Sequence, residues 1–212
     1  MKLYKNTLII SIVILVICVL LSVVFNFTCL SEIGFISFIS DYMIGTACSI
    51  IVVIVTTFLQ FKYEQRKTLN SILSDIQFFF FHYLLVVMSL DPREKTSDKL
   101  WEYYYDETYK GIRKISTDLS SIEWFSNKKI KTTANLHQAV LQMMYDIVKF
   151  TDRKNKKSML SVIDTPHLKE IKDNAILLAS ANEYAAKEIV RNFERVQDEL
   201  KELKQSQKIA NA

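Results

Sequence analysis

Residues 7–25, TLIISIVILVICVLLSVVF, contain no charged side chain, and neither do residues 42–61, YMIGTACSIIVVIVTTFLQF. At about 1.5 Å per residue, runs of 19 and 20 residues make helices of roughly 28–30 Å, the thickness of a bilayer hydrocarbon core. A helix apolar on every face has no place in water outside a large core. The expected arrangement is a transmembrane hairpin over residues 1–62 and a separate helical domain over 63–212. Lys2 and Lys5 resemble the start of a signal peptide, but the apolar run is too long. FNFTCL at 25–30 also offers no small-residue cleavage site. The first run is therefore expected to stay in the chain as a membrane helix.

Composition supports long helices. The 212 residues include only 3 Gly and 2 Pro, where average usage would give roughly 15 and 11. Tight hairpins and phosphate-cradling loops consume glycine. A Rossmann domain, a P-loop NTPase, a β-sandwich and a β-barrel are thereby disfavoured. The 13 Phe, 10 Tyr and 2 Trp argue against disorder. An all-α chain remains. A net charge of +4 is too small to declare a nucleic-acid partner. Cys18 and Cys48 fall inside the apolar runs and Cys29 between them, without metal-ligand spacing, so all three read as packing residues.

Lysine and arginine set the expected orientation. Lys2 and Lys5 precede the first run, and Lys62, Arg66 and Lys67 follow the second. The connection 26–41 holds Glu32 and Asp41 and no basic residue. The positive-inside rule then places both termini in the cytoplasm and a short acidic loop outside. The apolar part of that connection, 33–40, either lies in the outer interface or extends the second helix. Gly45 and Ser49 form a small-x-x-x-small pair, which lets backbones approach closely. Packing within the hairpin is the favoured role, with an oligomer contact as the alternative.

Four amphipathic segments follow. Helices are expected from about 68 to 90, 98 to 125 and 132 to 151, each with apolar residues at alternating steps of 3 and 4. The run 76–90, IQFFFFHYLLVVMSL, is too short for a span, and a third crossing would send the lysine-rich half outside. It is assigned to the buried centre of the bundle. The last helix starts at Thr165-Pro166, an N-cap followed by Pro at the first helical position. Its seam runs from Leu168 to Leu203 with an average step of 3.5 residues, the coiled-coil period. One helix over 166–206, about 60 Å long, would outrun its neighbour. Its far half would then pack on a cytoplasmic extension of the second span or on the same helix of another subunit. Asn182 on the seam is either a register device or a tolerated polar residue beside a wet groove.

No H-E-x-x-H, G-x-S-x-G or Walker pattern is present, and no metal or cofactor is expected. The chain reads as a non-enzyme. Thr68, Asp75, His82 and Ser89 recur every seven residues and make one polar stripe. The stripe is either satisfied by neighbouring helices or is a bistable polar seam that carries a signal. Lys128, Lys129 and Lys131 form one basic loop, and Arg153, Lys154, Lys156 and Lys157 another. Both are solvated helix ends or contacts for an anionic partner, with direct nucleic-acid binding left open.

The layout, an uncharged hairpin at 7–61 followed by a charged helical domain at 63–212, resembles the two-transmembrane effectors of bacterial anti-phage systems. These include retron-associated effectors and those of cyclic-nucleotide immune systems. The resemblance implies a normally silent inner-membrane protein. Its cytoplasmic domain would respond to a protein or nucleoprotein partner from neighbouring genes. Its hairpins would then form a homo-oligomer and permeabilise the lipid membrane.

Overall fold

The computed structural model describes residues 2–27, 34–90, 98–149, 163–180 and 182–210. Among them are six helices and no strand: α1 (Lys2–Phe27), α2 (Gly34–Met88), α3 (Asp98–Ser121), α4 (Asn127–Lys149), α5 (Pro166–Leu178) and α6 (Glu183–Ala210). They divide into two compact units, Met1–Lys67 and Thr68–Ala212, with α2 contributing to both.

In the first unit, α1 and the first part of α2 are long and apolar enough to cross a membrane, with mean hydropathy of 3.3 for Leu3–Val24 and 2.2 for Asp41–Met88. Most of their side chains are exposed. Leu8 and Cys18 on α1 and Thr57, Phe61 and Gln65 on α2 are buried. Tyr4 lines one shallow depression together with Leu59, Gln60, Tyr63 and Glu64. The start of α1 therefore lies beside residues 59–64, as an antiparallel hairpin requires. Residues 34–41 extend α2, which resolves the choice left open for that apolar stretch.

The sequence suggested two separate helices, 42–61 and 68–90, where the structure has one of 55 residues. The reason is local. All of KYEQRK at 62–67 except Tyr63 are good helix formers, and neither Gly nor Pro occurs between Thr46 and Met88. Nothing stops the helix.

In the second unit, residues 68–88 of α2 are the centre of the bundle. Ile72, Ile76, Phe79, Phe80, Tyr83 and Val86 are all at most 3% exposed. Fully burying such side chains contributes about 1.5–3 kcal/mol each. Contacts with α3 run antiparallel, from Ser71 to Asp118 and from Asp75 to Lys114. α4 returns antiparallel to α3, with Ser116 meeting His137 and Tyr105 donating to the Ile147 carbonyl. Trp124 closes that corner, donating from Nε1 to Thr133 Oγ1 at 2.9 Å. α5 lies on α4 through Leu168, Ile171, Ala175 and Leu178. Thr165 caps α5 as expected, accepting from the His167 N–H at 3.0 Å, with Pro166 in the first turn.

The expected single helix over 166–206 breaks. α5 ends at Leu178 and α6 begins at Glu183. Asn182 caps α6: its Oδ1 accepts from the Ala185 N–H at 3.1 Å, and its own N–H bonds to the Ala179 carbonyl at 2.6 Å. Apart from Asn182 and Phe193, which are half-buried, the seam residues stay buried on both sides of the corner, from Leu168 to Leu203. Their 3.5-residue rhythm therefore hid the break. α6 runs parallel to the second part of α2: Asn182 reaches Asn70, the Ala185 carbonyl reaches Gln77, and Phe193 meets Phe80 edge-on at 5.8 Å. The far half of the seam thus packs on the second part of α2, the continuation of the second apolar run and one of the two partners anticipated.

Candidate functional site

The polar residues of α2 are held one by one. Asp75 Oδ1 accepts from Lys114 Nζ at 2.7 Å, and Ser71 Oγ donates weakly to both Asp75 and Asp118. The hydrogen bond from Lys114 to Asp75 raises the lysine pKa above its ordinary value. His82 lies half-buried one helical repeat further on. Its Nδ1 donates to the Phe78 carbonyl at 3.0 Å, which puts a proton on Nδ1, and its ring meets Phe81 edge-on. Ser89 donates to the Val86 carbonyl at 2.7 Å. The stripe is thus not one continuous network between helices. Asp75 bonds to α3, while His82 and Ser89 turn back onto their own helix.

Asn182 is joined to neither of them. It sits at the α5–α6 corner as an N-cap, and its Nδ2 approaches Asn70 Oδ1 at 3.4 Å. The expectation of a coiled-coil register residue is corrected: an Asn oxygen satisfies a main-chain N–H that the broken helix leaves without a partner. Asn70 and Gln77, which stitch α2 to this corner, carried no signal in the sequence because their partners lie more than a hundred positions away.

Gly45 and Ser49 do not pack the hairpin. Both are exposed, a Cβ built at Gly45 would meet nothing within 4 Å, and Ser49 Oγ donates to the Gly45 carbonyl. At 100° per residue, Gly45 lies about 160° around α2 from the buried Phe61. The packed face of α2 is therefore the opposite one. Cys48, expected to pack, is exposed as well, while Cys18 is buried.

Lys128, Lys129 and Lys131 stand in the first turns of α4, not in a loop. They occupy the positive end of the helix dipole, where cations are disfavoured. The Lys129 ammonium lies 4.7 Å from the centre of the Trp124 ring, while Lys128 and Lys131 are exposed. Arg153, Lys154, Lys156, Lys157 and Cys29 lie outside the described residues.

Two further polar arrangements come from tertiary contacts. Tyr83 is fully buried beneath the end of the bundle and donates to the Ile163 carbonyl at 2.6 Å. Burial, with Asp164 and Asp146 adding, pushes its phenol well above the ordinary range. Lys204 on α6 pairs with Asp164 just outside. A groove of about 440 Å³ between α4 and α5 is lined by Asn135, Gln138 and Gln142 on one side and His167, Glu170 and Asn174 on the other. His167 is oriented by Glu170 at 3.2 Å and Asp146 at 3.8 Å. Among the described residues no group of three His, Cys, Asp or Glu side chains is arranged to hold a metal.

The most distinctive element is thus α2 itself. It carries an apolar stretch of bilayer length at one end and the core of the bundle at the other. No protein-family model, curated protein or solved structure matches the chain.

Proposed function

We propose that the chain is an inner-membrane effector whose cytoplasmic helical domain governs a two-helix hairpin, and that assembled hairpins permeabilise the bilayer. The reading follows the two-transmembrane anti-phage effectors that the layout resembles. The observation that carries it is the continuity of α2 from Gly34 to Met88. The helix has no hinge residue after Gly45. A rearrangement of the bundle around residues 68–88 is therefore delivered to residues 42–61 without an intervening joint. The exposed Tyr42 and Tyr63 lie 21 residues apart, about 31 Å along a helix, as aromatic belts at the two faces of a bilayer would. With Lys5 and Lys62 near one belt, both ends of the hairpin face the cytoplasm in this reading.

The test follows membrane potential in cells expressing the full chain with its genomic neighbours. Depolarisation on triggering, lost when residues 1–62 are replaced by an unrelated membrane anchor, is expected. An intact potential during demonstrated triggering rejects the effector and leaves a membrane-anchored scaffold that positions a cytoplasmic partner. Transmission through α2 has its own test. Two alanines inserted after Arg66 turn the following helix by about 200°, and four return it to within about 40°. The first insertion should abolish the response and the second should largely keep it. Equal responses would reject transmission along this helix.

A further inference from the structure

The basic end of the hairpin holds a depression of about 390 Å³, lined by Tyr4 of α1 and by Leu59, Gln60, Tyr63 and Glu64 of α2. At 100° per residue, Gln60, Tyr63 and Glu64 fall within about 100° of one another. They flank the face at Thr57, Phe61 and Gln65 that is buried. Tyr4 and Glu64 are half-buried. Among the described residues, no hydrogen bond or ion pair engages the Glu64 carboxylate, the Gln60 amide or either phenol. Basic residues stand close to Glu64 in sequence, yet none pairs with it. Lys62 is about 160° around α2 from Glu64, and its ammonium lies over the Phe58 ring at 5.6 Å. Lys67, one turn beyond Glu64, forms no ion pair with it. No basic side chain lines the depression.

The lining has the chemistry of a cation site. A carboxylate and two tyrosine rings attract positive charge. The carboxylate, the carboxamide oxygen and the two phenol oxygens also accept hydrogen bonds. A primary ammonium brings one charge and three N–H donors, which use both properties. A quaternary ammonium has no N–H and uses only the first. The position of the depression indicates where such a group comes from. Tyr63 stands at the level of one aromatic belt, and Leu59, 61% exposed, lies one turn nearer the middle of the apolar run, where an acyl chain would lie. We infer that the depression receives the primary ammonium of a phosphatidylethanolamine headgroup from the leaflet on the side of Lys5 and Lys62. Bound there, the lipid ties the start of α1 to the end of the apolar part of α2. The inference rests on the membrane reading, because only a bilayer sets headgroups at this level.

The experiment uses the full chain in nonionic detergent, mixed with equal amounts of phosphatidylethanolamine and phosphatidylcholine that carry the same acyl chains. Retained lipid is counted by native mass spectrometry, and circular dichroism checks the fold. Both lipids are zwitterionic, so the surrounding lysines do not bias the comparison. The parent chain should retain phosphatidylethanolamine about tenfold more than phosphatidylcholine, the effect of charge-assisted hydrogen bonds that only the primary ammonium can make. Glu64→Gln removes the charge at constant size, and Tyr4→Leu removes one ring with its hydroxyl. Each should bring the two lipids to within about twofold of each other. Tyr42→Leu, at the other end of the hairpin, should leave the preference unchanged. A parent that retains both lipids equally, site variants that keep the preference, or a Tyr42→Leu chain that loses it would overturn the inference. If Glu64→Gln fails to fold, Tyr4→Leu decides. Soluble phosphoethanolamine, the headgroup without its chains, tests the source of the ammonium. It should not displace the lipid at millimolar concentration, and displacement would reject a lipid in favour of a soluble amine. Carbonate extraction of membranes, followed in parallel, reports on the membrane reading alone. A chain that stays in membranes without the lipid preference removes the site and spares that reading; a chain that is released removes both.

Discussion

Residues 42–61 and 68–88 belong to one helix, and both are rich in aliphatic and aromatic side chains, yet their surroundings are opposite. In the first, Val52 is 62% and Leu59 61% exposed; in the second, Ile72, Ile76 and Phe80 are completely buried. Other helices of the bundle, among them α3 and α6, supply the apolar environment for 68–88. For 42–61 the chain supplies only part of one, and a bilayer would supply the rest. The difference teaches that apolarity alone does not say what solvates a helix. The helices that follow it in the chain, with their amphipathic faces, decide which part stays uncovered.

The strongest way to break the comparison is to remove a core side chain from the second region. Phe80→Ala should cost about 3–5 kcal/mol in denaturant unfolding of the bundle, a large share of the roughly 5–15 kcal/mol of a typical domain. The converse change is Val52→Asp. It should leave the bundle's melting unchanged while adding about 3 kcal/mol to membrane insertion at mid-span. Carbonate extraction of membranes would show this as protein released to the soluble fraction. A bundle destabilised by Val52→Asp would mean that the two regions are not separately solvated.

Next in size is Tyr83→Phe. It leaves the buried Ile163 carbonyl without its donor and should cost about 1–3 kcal/mol at neutral pH. The pH dependence has a definite sign. The phenol is held above its ordinary value of 10 in the folded chain, so the unfolded chain releases its proton first. Stability is fully present below about pH 10 and declines as pH rises above it. The Phe variant should lose that part of the alkaline decline. The smallest effect is expected for Asn182→Ala, about 1 kcal/mol for a lost cap. A loss of several kcal/mol would instead show that the corner at Asn70 and Gln77 is a single network.

Much of the bundle could be read from spacing. The stretch 76–90 was assignable to the core because it is too short to span, and Ile76, Phe79, Tyr83 and Val86 are indeed buried. The Thr165-Pro166 start of α5 was legible because capping involves only adjacent residues. The candidate site was less so. Gly45 and Ser49 suggested close packing, but a spacing motif does not say which side of a helix its neighbour takes. Lys128, Lys129 and Lys131 looked like a loop, because three lysines are poor company for a helix start, yet Trp124 anchors that turn from outside it.

What the sequence by itself determined is the helical class, the two bilayer-length apolar runs and the seams that face inward. These depend on composition and on periods of 3.5 to 3.6 residues, both local properties. Only the tertiary structure decided that two helices are one continuous α2, that the last helix breaks at Asn182, and that Gly45 and Ser49 lie away from the packed face of α2. Each of these depends on which contacts compete for the same backbone or surface. A broken seam keeps its rhythm if both pieces find partners, and a small-residue pair packs only where a neighbouring helix takes its side.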